Sequence, residues 1–274
     1  MESSSQVSHF EELRARLLVE YGEFLKASRS GGADGVDPDT GDLDGKYRFA
    51  GYTAIGPAYA PHNGILFVSL DVGEDRIRRR PEDLILRGGE QGWPTNLHHN
   101  GMRLQAAHLL PGTVYRAYLD GVRDRGIQAK EIWNHWRGPG APAADPLDHA
   151  AVTNFYKFVT VGRQRRQGAR DRCHRVGGRH GAPEKRLLLG QIKVLRPAHI
   201  VFQGRRLPGF LRWPEEVRKE FLELIDAARE DGWSPEIWRS HHPAWRRWRT
   251  AGRFVAGTDK WQAEKLRNPR PAGR

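Results

Sequence analysis

The segment Ile65-Leu66-Phe67-Val68-Ser69-Leu70, bounded by Gly64 and by Asp71-Val72-Gly73, constrains this chain more than any other. A strand with one wet face alternates apolar and polar residues. This one does not alternate, so both of its faces must be covered. Helices on both sides of a sheet meet that demand, and helical crossovers make its strands run mainly parallel. Three further segments fit the same sheet. Ala151-Val152-Thr153-Asn154-Phe155-Tyr156 and His199-Ile200-Val201-Phe202 are short apolar runs, the latter closed by Gly204, and Glu236–Ser240 leads as a fourth strand into His241-His242-Pro243.

Helical periodicity fills the intervals. Ser8 with Glu11 reads as a capping box opening a helix whose stripe is Phe10, Leu13, Leu17, Leu18, Tyr21, Phe24 and Leu25, stopped by Gly31-Gly32. A second helix is expected after Asn100, with Met102, Leu104, Leu109 and Leu110, up to Pro111-Gly112. A third spans about Pro183 to Leu195, and a fourth carries Pro214 in its first turn and Val217, Phe221, Leu224, Ile225 and Ala228 on its apolar face. The expected fold class is α/β, a three-layer α/β/α sandwich with a mainly parallel central sheet of about four strands. Residues 1–50 supply an N-terminal helix and an acidic loop on or beside the core. Residues 51–250 form the core with a basic insert at 160–182, and 251–274 form a basic tail. At 274 residues the chain is long enough to bury such a core without staples.

Charge points to a partner. Lys and Arg number 45 against 33 Asp and Glu, a net +12, which draws a protein to polyanions. The charge is clustered: Arg163, Arg165, Arg166, Arg170 and Arg172 fall in one Gly-punctuated stretch, while Arg246 and Arg247 are interleaved with Trp245 and Trp248. Guanidinium groups neutralise phosphates and indoles stack on or wedge between bases, so DNA is the expected partner. One cysteine, Cys173, excludes an internal disulfide framework and an all-cysteine metal or iron–sulfur site. The Asp37, Asp39, Asp42 and Asp44 loop lacks the glycine and distal glutamate of a calcium loop and reads as a solvated turn, so no metal or other cofactor is expected. No apolar stretch approaches the ~20 residues of a bilayer span, and the first residues lack signal-peptide character. A cytoplasmic monomer that does not enter membranes is the expectation.

In a parallel sheet, ligands bind beyond the carboxyl ends of the strands. The segments there are Ser69–Gly73, Asn154–Lys157, Gln203-Gly204 and His241–Ala244. In order and character they resemble the motifs of the uracil-DNA glycosylase superfamily. Ser69-Leu70-Asp71-Val72-Gly73 is similar to the loop after that family's first core strand, with Asp71 on the position of the water-activating aspartate. Thr153-Asn154-Phe155-Tyr156-Lys157 resembles the Thr-Asn-x-x-Lys strand end whose Asn reads the base. Leu187 to Gly204 resembles the family's helix–strand unit, and His242-Pro243-Ala244 its His-Pro-Ser/Ala motif. The likeness covers roughly residues 51–250. It departs from the family at Val72, which replaces a proline, and where a base-stacking Phe is usual, a place taken here by Thr95 or Leu97; Trp93 is the candidate substitute.

The resemblance implies a monofunctional DNA N-glycosylase that flips a uracil or a modified pyrimidine and hydrolyses its glycosidic bond. A hypermodified phage cytosine, attacked in antiviral defence, is one such substrate. Asp71 would stabilise the oxocarbenium-like sugar and orient water, and His242 would donate to the departing base. Asn154, the Val72 and Gly73 amides, Trp93 and Thr95 would line the base pocket. Lys157 and the arginines would hold DNA, with Trp245, Arg246, Arg247 and Trp248 at the duplex. Each residue type also has a plainer use: Asp71 as a helix cap, Asn154 as a turn former, His242 as a loop histidine beside His241, Trp245 and Trp248 as packing residues. A non-catalytic nucleic-acid-binding protein on the same fold is the competing expectation.

Overall fold

The structure is a computed structural model that describes residues 4–30, 47–49, 52–69, 85–88, 93–94, 97–110, 145–154, 157–160, 182–203, 219, 223–224, 226–227, 229–240 and 264–265. Its elements are α1 (Ser4–Ser30), β1 (Tyr47–Phe49), β2 (Thr53–Ile55), β3 (Ile65–Ser69), β4 (Ile85–Arg87) and α2 (Leu97–Leu109), then a 3-10 turn (Pro146–His149). β5 (Ala150–Asn154), β6 (Phe158–Thr160), α3 (Ala182–Leu195), β7 (His199–Gln203), β8 (Glu236–Ser240) and β9 (Glu264–Lys265) follow. The described residues between 219 and 230 are helical.

The main sheet has seven strands in the order β4-β2-β5-β3-β7-β8-β9. Its centre, β5-β3-β7-β8, is wholly parallel, and these are the four strands expected from the sequence. β2 and β9 join antiparallel on either side, and β4 pairs parallel with β2 at the edge. The sheet therefore exceeds the expected four strands by three short flanking ones. β1 and β6 form a separate antiparallel ribbon, Phe49 opposite Phe158.

Period-two alternation sorts the strand side chains into two cores, one on each face. Leu66 and Val68 of β3, Ala151 of β5 and Ile200 and Phe202 of β7 pack with Leu13, Leu17, Tyr21 and Phe24 of α1 and Leu187, Leu188, Ile192 and Leu195 of α3. Ile65 and Phe67, Ala150 and Val152, and Val201 turn the other way, onto Met102, Ala106 and Leu110 of the α2 segment. That is a three-layer α/β/α sandwich. The crossover from β3 to β5 carries α2 on one face; the crossover from β5 to β7 reverses direction across the sheet and carries α3 on the other. Right-handed crossovers require that change of face. Leu224, in the β7-to-β8 connection, packs on the α3 side, as the same rule demands.

Two helix starts differ from expectation. α1 begins at Ser4, so Ser8 lies inside the helix rather than capping it. α2 begins at Leu97 rather than after Asn100, and residues 100–107 are all buried. No described helix is long and apolar enough to cross a membrane.

Candidate functional site at the carboxyl edge of the sheet

The order β5-β3-β7-β8 reverses direction around β3, the first of these strands in the chain, and the crevice outside the carboxyl ends at such a reversal is where open α/β sheets bind ligands. Four polar residues occupy those ends. Ser69 closes β3 opposite Asn154 of β5, and Gln203 closes β7 opposite Ser240 of β8. Ser69, Asn154 and Gln203 are buried, and burying polar groups is costly unless they are hydrogen-bonded.

The bonds form a chain. Ser69 Oγ donates to Gln203 Oε1 at 2.8 Å, and Gln203 Nε2 donates to Gln105 Oε1 of α2 at 2.9 Å. Gln105 Nε2 ends this chain buried and without a hydrogen-bond partner. On the other side, Ser69 Oγ lies 3.4 Å from His98 Nε2, which brings an imidazole from the first turn of α2 to the strand end. Serine carries one proton, here directed at Gln203, so His98 must meet it as an N–H donor. The ring of neighbouring His99 stands 5.7 Å from that of His98. Burial, with the Arg103 guanidinium nearby, pushes the His99 pKa down to about 4, so this ring is neutral at pH 7.

Asn154 is 3% exposed. Its backbone carbonyl accepts from Lys157 Nζ, which also donates to Gln191 Oε1 at 2.8 Å and to Thr153 Oγ1 at 3.1 Å. Gln191 Nε2 in turn donates to the Tyr21 hydroxyl at 2.8 Å and to Thr53 Oγ1 at 2.9 Å. A continuous polar network thus runs from α1 through β2 and α3 to the end of β5 and holds the backbone at Asn154. Burial drives the Tyr21 phenol far above its usual pKa, so it stays protonated and able to donate.

Two residues are corrected by this geometry. Lys157, expected to contact DNA, is 0% exposed, and its ammonium is spent on internal oxygens. It supports the strand end and does not reach a phosphate. Trp93, expected to stack on a base, is 5% exposed and belongs to the core beneath α2. Its Nε1 donates to Asp148, ahead of the amino end of β5 and so at the opposite end of that strand from Asn154. Its ring lies over Gly88, where a Cβ would run into it. Its carbonyl and that of Pro94 accept from Arg103, whose Nε pairs with Asp145 at 2.8 Å.

Asp71, Val72, Gly73, Thr95, Arg163, Arg165, Arg166, Arg170, Arg172, His242, Trp245, Arg246, Arg247 and Trp248 lie outside the described residues. Of the expected site, the described structure brings Asn154 to the carboxyl edge and removes Lys157 and Trp93 from the ligand's reach. Sequence reasoning missed His98, Gln105 and Gln191. The signal for them was a polar side chain on the inward side of a helix, visible only once each helix's buried face is known.

Comparison with family models, with curated proteins and with solved structures gives no match to this chain.

Proposed function

We propose that this protein is a DNA glycosylase that extrudes a uracil or modified pyrimidine and hydrolyses its N-glycosidic bond, leaving an abasic site. One observation carries the reading: the parallel block β5-β3-β7-β8 ends Ser69 of β3, Asn154 of β5 and Ser240 of β8 at the same edge of the sheet. Asp71 follows Ser69 by two residues, a tether of about 7 Å. His242 follows Ser240 by two as well, and four adjacent strands span about 14 Å, roughly the size of one nucleotide with its flanking phosphates. The basic segment beginning at Arg163 follows β6 by three residues.

In this reading Asn154, fixed through its backbone by Lys157, offers an amide donor and acceptor to the edge of an extruded base. Asp71 stabilises the cationic sugar and orients water. His242 donates to the base oxygen as it gains charge. The arginine clusters supply the salt-sensitive attraction to the backbone. Purified protein is incubated with DNAs carrying uracil, deaminated or hypermodified pyrimidines, free base is read by mass, and abasic sites are read as breaks after hot alkali. Base release from one of them is expected, with Asp71→Asn and His242→Ala each lowering it by about 10²–10⁴-fold while DNA affinity changes little. Salt-sensitive binding with no release from any substrate would leave the non-catalytic DNA-binding reading, which the withdrawal of Trp93 from the ligand edge favours.

A further inference from the structure

The hydrogen-bonded chain beneath the carboxyl edge has a direction, and the direction it takes is a costly one. Ser69 Oγ donates to Gln203 Oε1 and Gln203 Nε2 to Gln105 Oε1, so the chain ends on Gln105 Nε2, which is buried and has no partner. An amide N–H left unmet in a folded interior is rarer than an unmet carbonyl oxygen, and it costs its full desolvation. Each glutamine amide carries an oxygen and a nitrogen on one flat group. Turning either amide alone would set donor against donor or acceptor against acceptor. Turned end for end together, they keep every heavy-atom distance and reverse every bond. Gln105 Nε2 then donates to Gln203 Oε1, Gln203 Nε2 donates to Ser69 Oγ, and the group left over is the Gln105 carbonyl oxygen. That reversal frees the Ser69 proton, and His98 Nε2 stands 3.4 Å from Ser69 Oγ to accept it.

A proton on His98 Nε2 decides between the two directions. A ring that carries one must donate to Ser69, which sends the serine proton on to Gln203. A ring with a bare Nε2 accepts from Ser69 and lets the chain run the other way, with the Gln105 N–H satisfied. His98, in the first turn of α2, keeps part of its surface in solvent, whereas Ser69, Gln203 and Gln105 are buried. The imidazole is therefore the member of the chain that can exchange a proton with water. On its own helix the titratable neighbours are His99, held neutral at pH 7, and Arg103, whose charge is paired with Asp145 of the turn before β5. The strands β3 and β7 bring it the uncharged Ser69 and Gln203.

We infer that His98, Ser69, Gln203 and Gln105 form a proton-driven switch, in which a proton taken up at His98 Nε2 directs the chain inward to Gln105 and its loss reverses the chain. The ring exchanges its proton with water, the serine hydroxyl and the two amides rotate, and no other proton changes owner. Ser69 is the last residue of β3, so the switch acts where the chain leaves the sheet for Leu70 and Asp71. It rests on the hydrogen bonds alone and does not depend on the glycosylase reading.

NMR of the full-length protein, labelled on its histidine ring and glutamine amide nitrogens, is followed from about pH 8 to about pH 5, the range in which an imidazole ordinarily titrates. At the upper end the His98 Nε2 signal is expected to be that of a bare nitrogen. As the ring gains its proton, the side-chain amide signals of Gln203 and Gln105 should move with the same midpoint. Ser69→Ala cuts the chain, so His98 should still titrate while the Gln105 signals stay in place. Ser69→Thr returns the hydroxyl and should return the tracking. A neutral His98 that keeps its proton on Nε2 overturns the inference, as does a ring that does not titrate in this range. Gln105 signals that ignore the His98 titration overturn it too. So does tracking that survives in Ser69→Ala, since the charge would then be felt through space and not through the chain. If Ser69→Ala does not fold, Gln203→Met makes the cut at the next link, and the wild-type His98 and Gln105 signals decide the matter without either variant.

Discussion

Arg103 and Lys157 are both sealed from solvent, one on each face of the sheet, and their described partners differ in kind. Arg103 spends its guanidinium on the Asp145 carboxylate, on Asn100 Oδ1 and on the carbonyls of Trp93 and Pro94. Those partners all belong to the α2 start and the turn before β5. Its five donors in a rigid fork suit that work, because they can tie two separate chain segments to one charge. The described bonds of Lys157 go to neutral oxygens of Thr153, Asn154 and Gln191. Its ammonium therefore fixes the end of β5 rather than a loop junction. The same expense, a buried cation, secures the architecture on one face and the candidate ligand edge on the other.

The largest effect expected from breaking this comparison is on the Arg103 side. Arg103→Met keeps the volume but takes their Arg103 donor from a carboxylate, two backbone carbonyls and the Asn100 amide oxygen. Removing one partner of a buried ion pair costs about 3–5 kcal/mol, and the low end is expected because Asp145 keeps some contact with water. Urea unfolding followed by Trp fluorescence reads the shift. On the glycosylase reading proposed above, the molecules that remain folded should release base as the parent does.

Lys157→Met comes next. It should cost less stability, about 1–3 kcal/mol, because it strands hydrogen-bond acceptors and not a carboxylate among its described partners. Its larger consequence is local. Amide exchange at residues 150–154 should accelerate relative to the rest of the sheet, and base release per folded molecule, if the glycosylase reading holds, should fall about tenfold or more. Equal exchange profiles in Lys157→Met and Arg103→Met would mean that both cations serve only the global fold, and the distinction drawn here would be lost.

The contrast also explains what could be read in advance. β3, β5 and β7 are covered on both faces, so their sequences are apolar runs that stand out without any alignment. β2, β4 and β9 are two or three residues long, and their pairing is decided by neighbours far away in the chain, which leaves no local signature. Gln203 was legible because a polar residue ending an apolar run marks a strand's carboxyl end, whereas Asn154 was singled out by the likeness of Thr153–Lys157 to a Thr-Asn-x-x-Lys strand end; the apolar run itself was read on to Tyr156, and the described strand closes at Asn154. Lys157 was misread because a lysine is almost never fully buried, and the oxygens of Gln191, Thr153 and Asn154 that receive it come from chain segments its own sequence does not reveal. Trp93 was misread for the converse reason: an indole suits a core and a base equally well, and the choice rested on Gly88 and Asp148, neither of which its own segment contains.

The smallest effect sharpens the Arg103 side of the comparison through His99. The folded pKa of this ring, about 4, lies below its ordinary value of 6.5, first because it is buried and second because Arg103 stands near it. The unfolded chain therefore binds more protons than the native protein between those two values, and stability must rise with pH across that window. Present in full above about 6.5, the contribution is lost as pH falls through 6 and 5 towards 4. His99→Gln should flatten the pH dependence of the urea midpoint between pH 7 and 4 without changing its slope above pH 7. In Arg103→Met the His99 ring, followed by NMR, should titrate higher than in the parent yet still below 6.5, because burial remains when the guanidinium is gone. A His99 pKa unchanged by that substitution would mean that the Arg103 charge is fully absorbed by Asp145 and projects nothing towards the ring.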